Sequence, residues 1–404
     1  MTGPTPAASP TSLQWLFILL GLGALAITQP LFADLGDAPE LFIFYGTTTA
    51  DLWILAALAV LLVPLSLWAV GWVIGRIRPA AGQLFHRGSA VVLAAALGVQ
   101  VGRALGVDRS ILLAGLGLAA GGAAWFVLVR VRPVREWAMV LAPAGLIFAF
   151  LFLFTSAPAR AVNGAAGSED PIEPAAVADE LAPLAILVLD EFPTRSMLTD
   201  DMQLDPDLTP NLAAFAGEST WFRGHTTNAV WTTEAVPSLV TGRYPESAEE
   251  NALWFDHPDN LFRVLASTHQ LQVDEVLTQL CPPTICSISD RSGDGSRPEP
   301  DPAWRRLTGD ARTVVSQRIW PWSEPESIGL NQFADTGGSV AVFEGDGAVD
   351  VIDPVAQFFG MIPATQPARF ADFLDAMDPG TAERPGAFFF HLVLPHQPWT
   401  CLLY

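Results

Sequence analysis

The chain has 404 residues, half of them apolar, and carries 42 acidic against 21 basic side chains for a net charge of -21. Its length points to two or three domains, and its positive mean hydropathy argues against a wholly soluble protein. With its acidic excess concentrated beyond residue 160, the chain lacks the basic face that sequence-independent nucleic-acid binding needs.

Five apolar runs fill the first 155 residues, at 13–32, 52–75, 88–104, 111–129 and 137–154. Most are long enough to cross about 30 Å of hydrocarbon. The third is the weakest, being short and carrying Gln100 and Arg103. Five in succession predict a transmembrane region over 1–155. Arginine placement sets the expected orientation. Arg76, Arg78 and Arg87 follow the second run, and Arg130, Arg132 and Arg135 follow the fourth. The loop after the first is acidic, with Asp34, Asp37 and Glu40. The simplest topology keeps the N-terminus and both arginine-rich loops in the cytoplasm and puts everything after Phe154 outside. The first run lacks a basic leader and reads as a retained anchor rather than a signal peptide.

Residues 156–182, rich in Ala, Pro, Gly and acids, read as a linker. From 183 to 404 short apolar strands alternate with helical patterns, the texture of an α/β domain with a mostly parallel sheet. The aliphatic run Ile186-Leu187-Val188-Leu189 predicts a central parallel strand. A helix is expected from Thr209 through Phe215, a short strand at 220–223, a helix entrance at Thr232, a helix at 260–266 and a strand at 271–275. Residues 287–310 read as a long surface loop, and 387–394 as a second buried strand ending in Pro395-His396-Gln397-Pro398. Cys281 and Cys286, in an extracytoplasmic loop with no further ligands nearby, suit a small disulfide better than zinc.

Asp190 and Glu191 stand at the end of the first strand. Neighbours on a strand point to opposite faces, so both reach one metal only if the strand stops there. Such a pair suits Mg²⁺, Ca²⁺ or Mn²⁺, or is simply a solvated strand end. Thr232 is either an activated nucleophile or an ordinary helix cap. His396 emerges at a strand end, where α/β proteins gather ligands. His391, inside the apolar strand, reads as a satisfied core histidine. Arg243, after Thr241-Gly242, suits an anion or a turn equally.

Together, the stretches 186–192, Thr209-Pro210-Asn211-Leu212, Thr232 through Thr241-Gly242-Arg243-Tyr244-Pro245, and 391–398 resemble membrane-anchored sulfatase-like proteins of the alkaline phosphatase superfamily. Lipoteichoic acid synthases and phosphoethanolamine transferases share the arrangement of about five membrane helices before an extracytoplasmic catalytic domain. The resemblance implies Thr232, ten residues before Gly242, as nucleophile and metal contact, Asp190 and Glu191 as metal ligands, and His396 and Arg243 on the substrate. It also implies a divalent metal, the lipid bilayer as partner and an ester of the cell envelope as substrate. Thr232 is followed by Thr-Glu-Ala-Val, which cannot become formylglycine, so phosphoryl or sulfuryl transfer through threonine is expected rather than sulfatase chemistry. The family places an Asp-His ligand pair beyond the Pro-His-x-Pro element, whereas this sequence ends eight residues after His396. The expectation is therefore a domain incomplete at its C-terminus. The competing expectation is a catalytically incompetent or binding protein at the cell surface.

Overall fold

Five helices are long and apolar enough to cross a membrane: α1 (Ser12–Gly36), α2 (Thr49–Ile77), α3 (Pro79–Ala104), α4 (Ser110–Arg130) and α5 (Arg132–Thr155). They are followed in chain order by β1 (Leu184–Leu189), α6 (Pro210–Gly217), α7 (Thr232–Thr241), α8 (Leu261–Leu265), β2 (Gln270–Asp274), β3 (Ser287–Ile288), α9 (Ala303–Ile319), α10 (residues 367–375) and β4 (Gly386–Leu392). The computed structural model describes residues 10–164, 172, 180–192, 194–245, 251–288, 302–323 and 367–392. Two compact units emerge: Met1–Ala165 with Gly295–Thr336, and Ala166–Asp294 with Gly337–Tyr404.

In the first unit, helix starts are fixed by side-chain caps. Thr11 with Gln14, and Thr48 with Asp51, form capping boxes at α1 and α2. The long apolar faces stay open: Ile111, Leu118 and Leu146 are each more than 60% exposed, as suits lipid rather than water. This is a membrane protein. The third apolar run, the weakest in sequence, is a full helix of 26 residues. It packs tightly because small residues line it. A Cβ on Gly98 would stand 2.7 Å from the Leu116 carbonyl oxygen, and one on Gly82 would stand 2.5 Å from Gly75 Cα.

Several polar groups inside the bundle are paired across helices. Pro30 has no N–H to offer the Ala26 carbonyl four residues before it, and α1 widens into a π-turn at Ala24–Thr28. Gln100 of α3 donates its amide to that carbonyl at 2.7 Å. Trp15 donates to Gln83 at 2.7 Å, Trp68 to the Ser12 carbonyl at 3.0 Å and Arg87 to the Trp125 carbonyl at 2.7 Å. These bonds gather the start of α1, the α2–α3 turn and the α4–α5 turn at one end, which carries Arg76, Arg78, Arg130, Arg132 and Arg135. The opposite end carries Asp34, Asp37, Glu40 and Asp51.

Helix α9 packs on that acidic end, against α1, α2 and α3. Residues 303–310, expected to be surface loop, are its first half. Its first turn is capped by Asp51, which accepts the Trp304 N–H at 3.2 Å. Arg306 stacks over the Tyr45 ring at 4.8 Å, Asp310 takes a hydrogen bond from the Tyr45 hydroxyl, and Arg318 pairs with Asp34. Arg103 closes the far end, donating to the carbonyls of Trp320 and Ser323 at 2.8 and 2.9 Å.

The second unit holds a small parallel sheet in the order β1-β4-β2, with the two-residue β3 at its edge. Every pairing is parallel. Among the described residues β1 is an edge strand, not the central one expected from its aliphatic run. The difference shows in burial: Leu187 of β1 is 51% exposed, whereas nearly all of β4 is buried. One sheet face, with Leu271, Val273, Ala387 and Phe389, packs on Val236 and Val240 of α7 and Phe262 of α8. The other, with Phe388 and Phe390, packs on Phe373 of α10. Residues 220–223, expected as a strand, have no regular structure. The segment's two aromatic residues are exposed, Phe222 at 72%, and pack on no sheet.

Candidate active site

The sheet's pleat decides which side chains meet. Val188 of β1 and Phe389 of β4 face α7, so the residues two steps on, Asp190 and His391, face it too. Pairing continues one step past β1, where the Asp190 N–H donates to the Leu392 carbonyl at 3.0 Å. The chain then turns sharply. Glu191 adopts φ 49°, a left-handed conformation uncommon outside glycine and most often tolerated where surroundings impose it. Glu191 is exposed. The regular strand ends at Leu189, just before the two acids, as the expected pair of ligands requires.

Thr232 is the first residue of α7, and the cap position before it is held by Trp231, whose side chain makes no capping bond. The Thr232 hydroxyl is therefore not spent on its own helix. It donates to Asp190 Oδ2 at 3.1 Å, across 42 residues of sequence. The positive end of the ten-residue α7 points at the same carboxylate. Gly242, left-handed at φ 69°, closes the helix.

Arg243 lies just beyond that closing turn. Ten helical residues span about 15 Å, so its guanidinium is far from Thr232. It pairs with Asp259 at 3.2 Å on the surface and does not join the Thr232 cluster. A cleft of about 180 Å³ runs beside it, lined by Thr233, Pro237, Thr241, His257 and Asp259 but not by Thr232. His396 lies outside the described residues.

Two residues to which the sequence assigns no site role matter here. His391 is fully buried, and neither ring nitrogen has a hydrogen-bond partner among the described residues. Its Nε2 stands 3.7 Å from Asp190 Oδ2, too far for a hydrogen bond. It is not a satisfied core histidine. Its place in an apolar run concealed this, because the run's period says nothing about partners. The second is Glu275. The strand β2 ends in Asp274-Glu275, the same dipeptide that ends β1. There Asp274 is held by Arg369, and Glu275 accepts from Thr278 Oγ1, Leu280 N and Cys281 N at 2.6, 2.7 and 2.9 Å. That acid pair is wholly structural. It anchors the loop closed by the Cys281–Cys286 disulfide, whose Cα atoms are 6.0 Å apart.

The donors present fit part of a divalent-metal site. The Asp190 carboxylate and Thr232 hydroxyl are adjacent hard oxygens, the type Mg²⁺, Mn²⁺ and Ca²⁺ take. Among the described residues no three His, Cys, Asp or Glu side chains converge on one point. Comparison with family models, with curated proteins and with solved structures returns no match for this chain.

Proposed function

We propose that the second unit is a metal-dependent transferase or hydrolase of phosphate or sulfate esters, working through Thr232 at the outer face of the cytoplasmic membrane. The observation that carries this reading is the 3.1 Å contact between Thr232 Oγ1 and Asp190 Oδ2, which joins two motifs 42 residues apart. A threonine whose hydroxyl is withheld from its helix and aimed at a carboxylate is suited to nucleophilic attack. A bound divalent cation supplies the charge that lowers the hydroxyl pKa.

Asp190 orients the Thr232 oxygen by accepting its hydrogen bond. That oxygen attacks the phosphorus or sulfur in line, and the ester alcohol leaves from the opposite side. The group remains on Thr232 until water or an acceptor alcohol removes it. The N-terminal end of α7 favours the anionic group there. His396 is assigned to the substrate oxyanion on the resemblance alone, and Glu191 to the metal on the same footing. The alkaline phosphatase-like fold of this unit is likewise part of the proposal, supported by the parallel sheet with helices on both faces. Orientation rests on the arginine-rich end of the bundle, which the positive-inside rule assigns to the cytoplasm.

The test is turnover by the full chain in detergent micelles, with and without Mn²⁺, on nitrophenyl phosphate, sulfate and phosphodiester substrates. Metal-dependent turnover that vanishes in Thr232→Ala supports the reading. Turnover unchanged in that variant, or none on any ester, sinks it and favours a binding protein.

A further inference from the structure

We propose that His391 is a direct ligand of the divalent metal, forming with Asp190 and Thr232 a mixed nitrogen and oxygen set that selects Mn²⁺ over Ca²⁺. This rests on the metal-dependent reading above and deepens it. The resemblance to sulfatase-like proteins assigns His391 no role.

The argument starts from an unpaid cost. A buried polar atom with no hydrogen bond is destabilising, and His391 has two such nitrogens at 0% exposure. Its neighbours on β4, Phe390 and Leu392, offer no partner, and its backbone is committed to the sheet against Val188. Across the sheet its Nε2 faces Asp190 Oδ2 at 3.7 Å. That distance is too long for a hydrogen bond, yet it suits two ligands of one ion. Donors each about 2.1–2.2 Å from a metal stand roughly 3.0–3.8 Å apart at bond angles of 90–120°. Thr232 Oγ1, at 3.1 Å from the same carboxylate oxygen, has the spacing of a second such edge. All three side chains lie on the α7 face of the sheet, and they come from three separate elements. Two are fixed by strand register and the third by the start of a helix, so the set is rigid. Imidazole is a poor ligand for Ca²⁺ and a good one for first-row transition metals, whereas carboxylate and hydroxyl suit Mn²⁺.

The experiment is Mn²⁺ titration of the full chain in micelles, read by electron paramagnetic resonance with pulsed detection of nitrogen coupling. One bound Mn²⁺ per chain is expected, with a histidine nitrogen coupling that changes when the protein is made with ¹⁵N-histidine. His391→Gln, close in size, should abolish the coupling and weaken Mn²⁺ at least about tenfold, since losing even an outer partner of a ligand costs that much. Asp190→Asn should weaken it similarly. Mn²⁺ bound through Asp190 without nitrogen coupling overturns the role of His391 and leaves the proposed function standing. Coupling retained in His391→Gln assigns the ligand to another histidine and also overturns it. No Mn²⁺ binding by the unsubstituted chain overturns both. The ¹⁵N measurement needs no variant, so a misfolded His391→Gln does not blunt the test.

Discussion

Glu275 holds the backbone N–H of Cys281 at 2.9 Å, and with Leu280 N and Thr278 Oγ1 it fixes the disulfide loop from inside. The carboxylate is 5% exposed. Glu275→Ala leaves two buried N–H groups without their acceptor and should destabilise the second unit by about 2–4 kcal/mol. Hydrogen exchange at residues 278–286 checks this. Protection there unchanged by the substitution would show that the disulfide alone orders the loop.

Thr232 and Asp190 act as a pair under the proposed chemistry, and substitutions should separate their roles. Thr232→Ala removes the nucleophile and should lower kcat by about a thousandfold or more, while Thr232→Ser keeps an oxygen and should retain part of the rate. Asp190→Asn keeps the shape but weakens the charge that orients the hydroxyl. Its loss of rate should not add to that of Thr232→Ala. Fully additive losses would mean that the 3.1 Å contact is incidental.

Asp51 caps two helices at once, with Oδ2 on Thr48 and Oδ1 on Trp304. Asp51→Ala should cost about 1–2 kcal/mol through lost capping, divided between α2 and α9. Proteolysis near residues 302–305 is the readout. Cleavage there should rise in Asp51→Ala and stay low in an Asp37→Ala control.

Burial pushes the Asp310 carboxyl up to about 6, an effect only partly offset by its hydrogen bond from Tyr45 and the nearby Arg306 guanidinium. A folded-state pKa above the unfolded value makes the folded state bind the extra proton. The stability tied to that proton is therefore full below about pH 4 and lost as pH rises through about 6. Asp310→Asn should remove this dependence and raise stability at pH 8 by on the order of 2 kcal/mol. Thermal melts from pH 4 to 8 measure it. Glu40, pushed up to about 7 by burial, titrates in a neighbouring window, so the comparison is made in a Glu40→Gln background.

Gln100 serves the carbonyl that Pro30 leaves without a donor. Gln100→Leu should cost about 0.6 kcal/mol or somewhat more, in line with hydrogen bonds between membrane helices. In a Pro30→Ala background the cost should fall, because the restored N–H serves Ala26. A double-mutant cycle on melts in micelles reads the coupling, and a cycle that closes at zero would rule this account out.

The bundle was legible in sequence because lipid-facing helices are apolar over their whole length, and no partner is needed to recognise them. Helix α9 was not. Leu307 is the one large apolar side chain among its buried positions, beside Ala303, Asp310 and Ala311, and it follows a stretch rich in Pro and Gly. What makes it a packed helix is a set of acids and an arginine more than 200 residues away. The second unit's helices at Pro210, Thr232 and Leu261 were visible from Pro, Thr and Asn at their starts. The edge position of β1 was not, since an aliphatic run does not tell which strand lies beside it. Of the candidate site, Asp190 and Thr232 were legible as motifs. The left-handed turn at Glu191 was not, since nothing in the residue type announces a positive φ. Asp274-Glu275 repeats the same dipeptide with an architectural task, so the dipeptide by itself carries no function.

The membership of α9 in the first unit has a practical consequence. A soluble fragment begun at residue 183 to escape the lipid would carry α9 without α1, α2 and α3. Leu307, fully covered in the whole protein, would meet water, and Arg318 would lose Asp34. Such a fragment invites aggregation for reasons unrelated to its own sheet. A fragment that replaces residues 295–336 with a short polar bridge would spare the sheet and discard only the helix that belongs to the bundle.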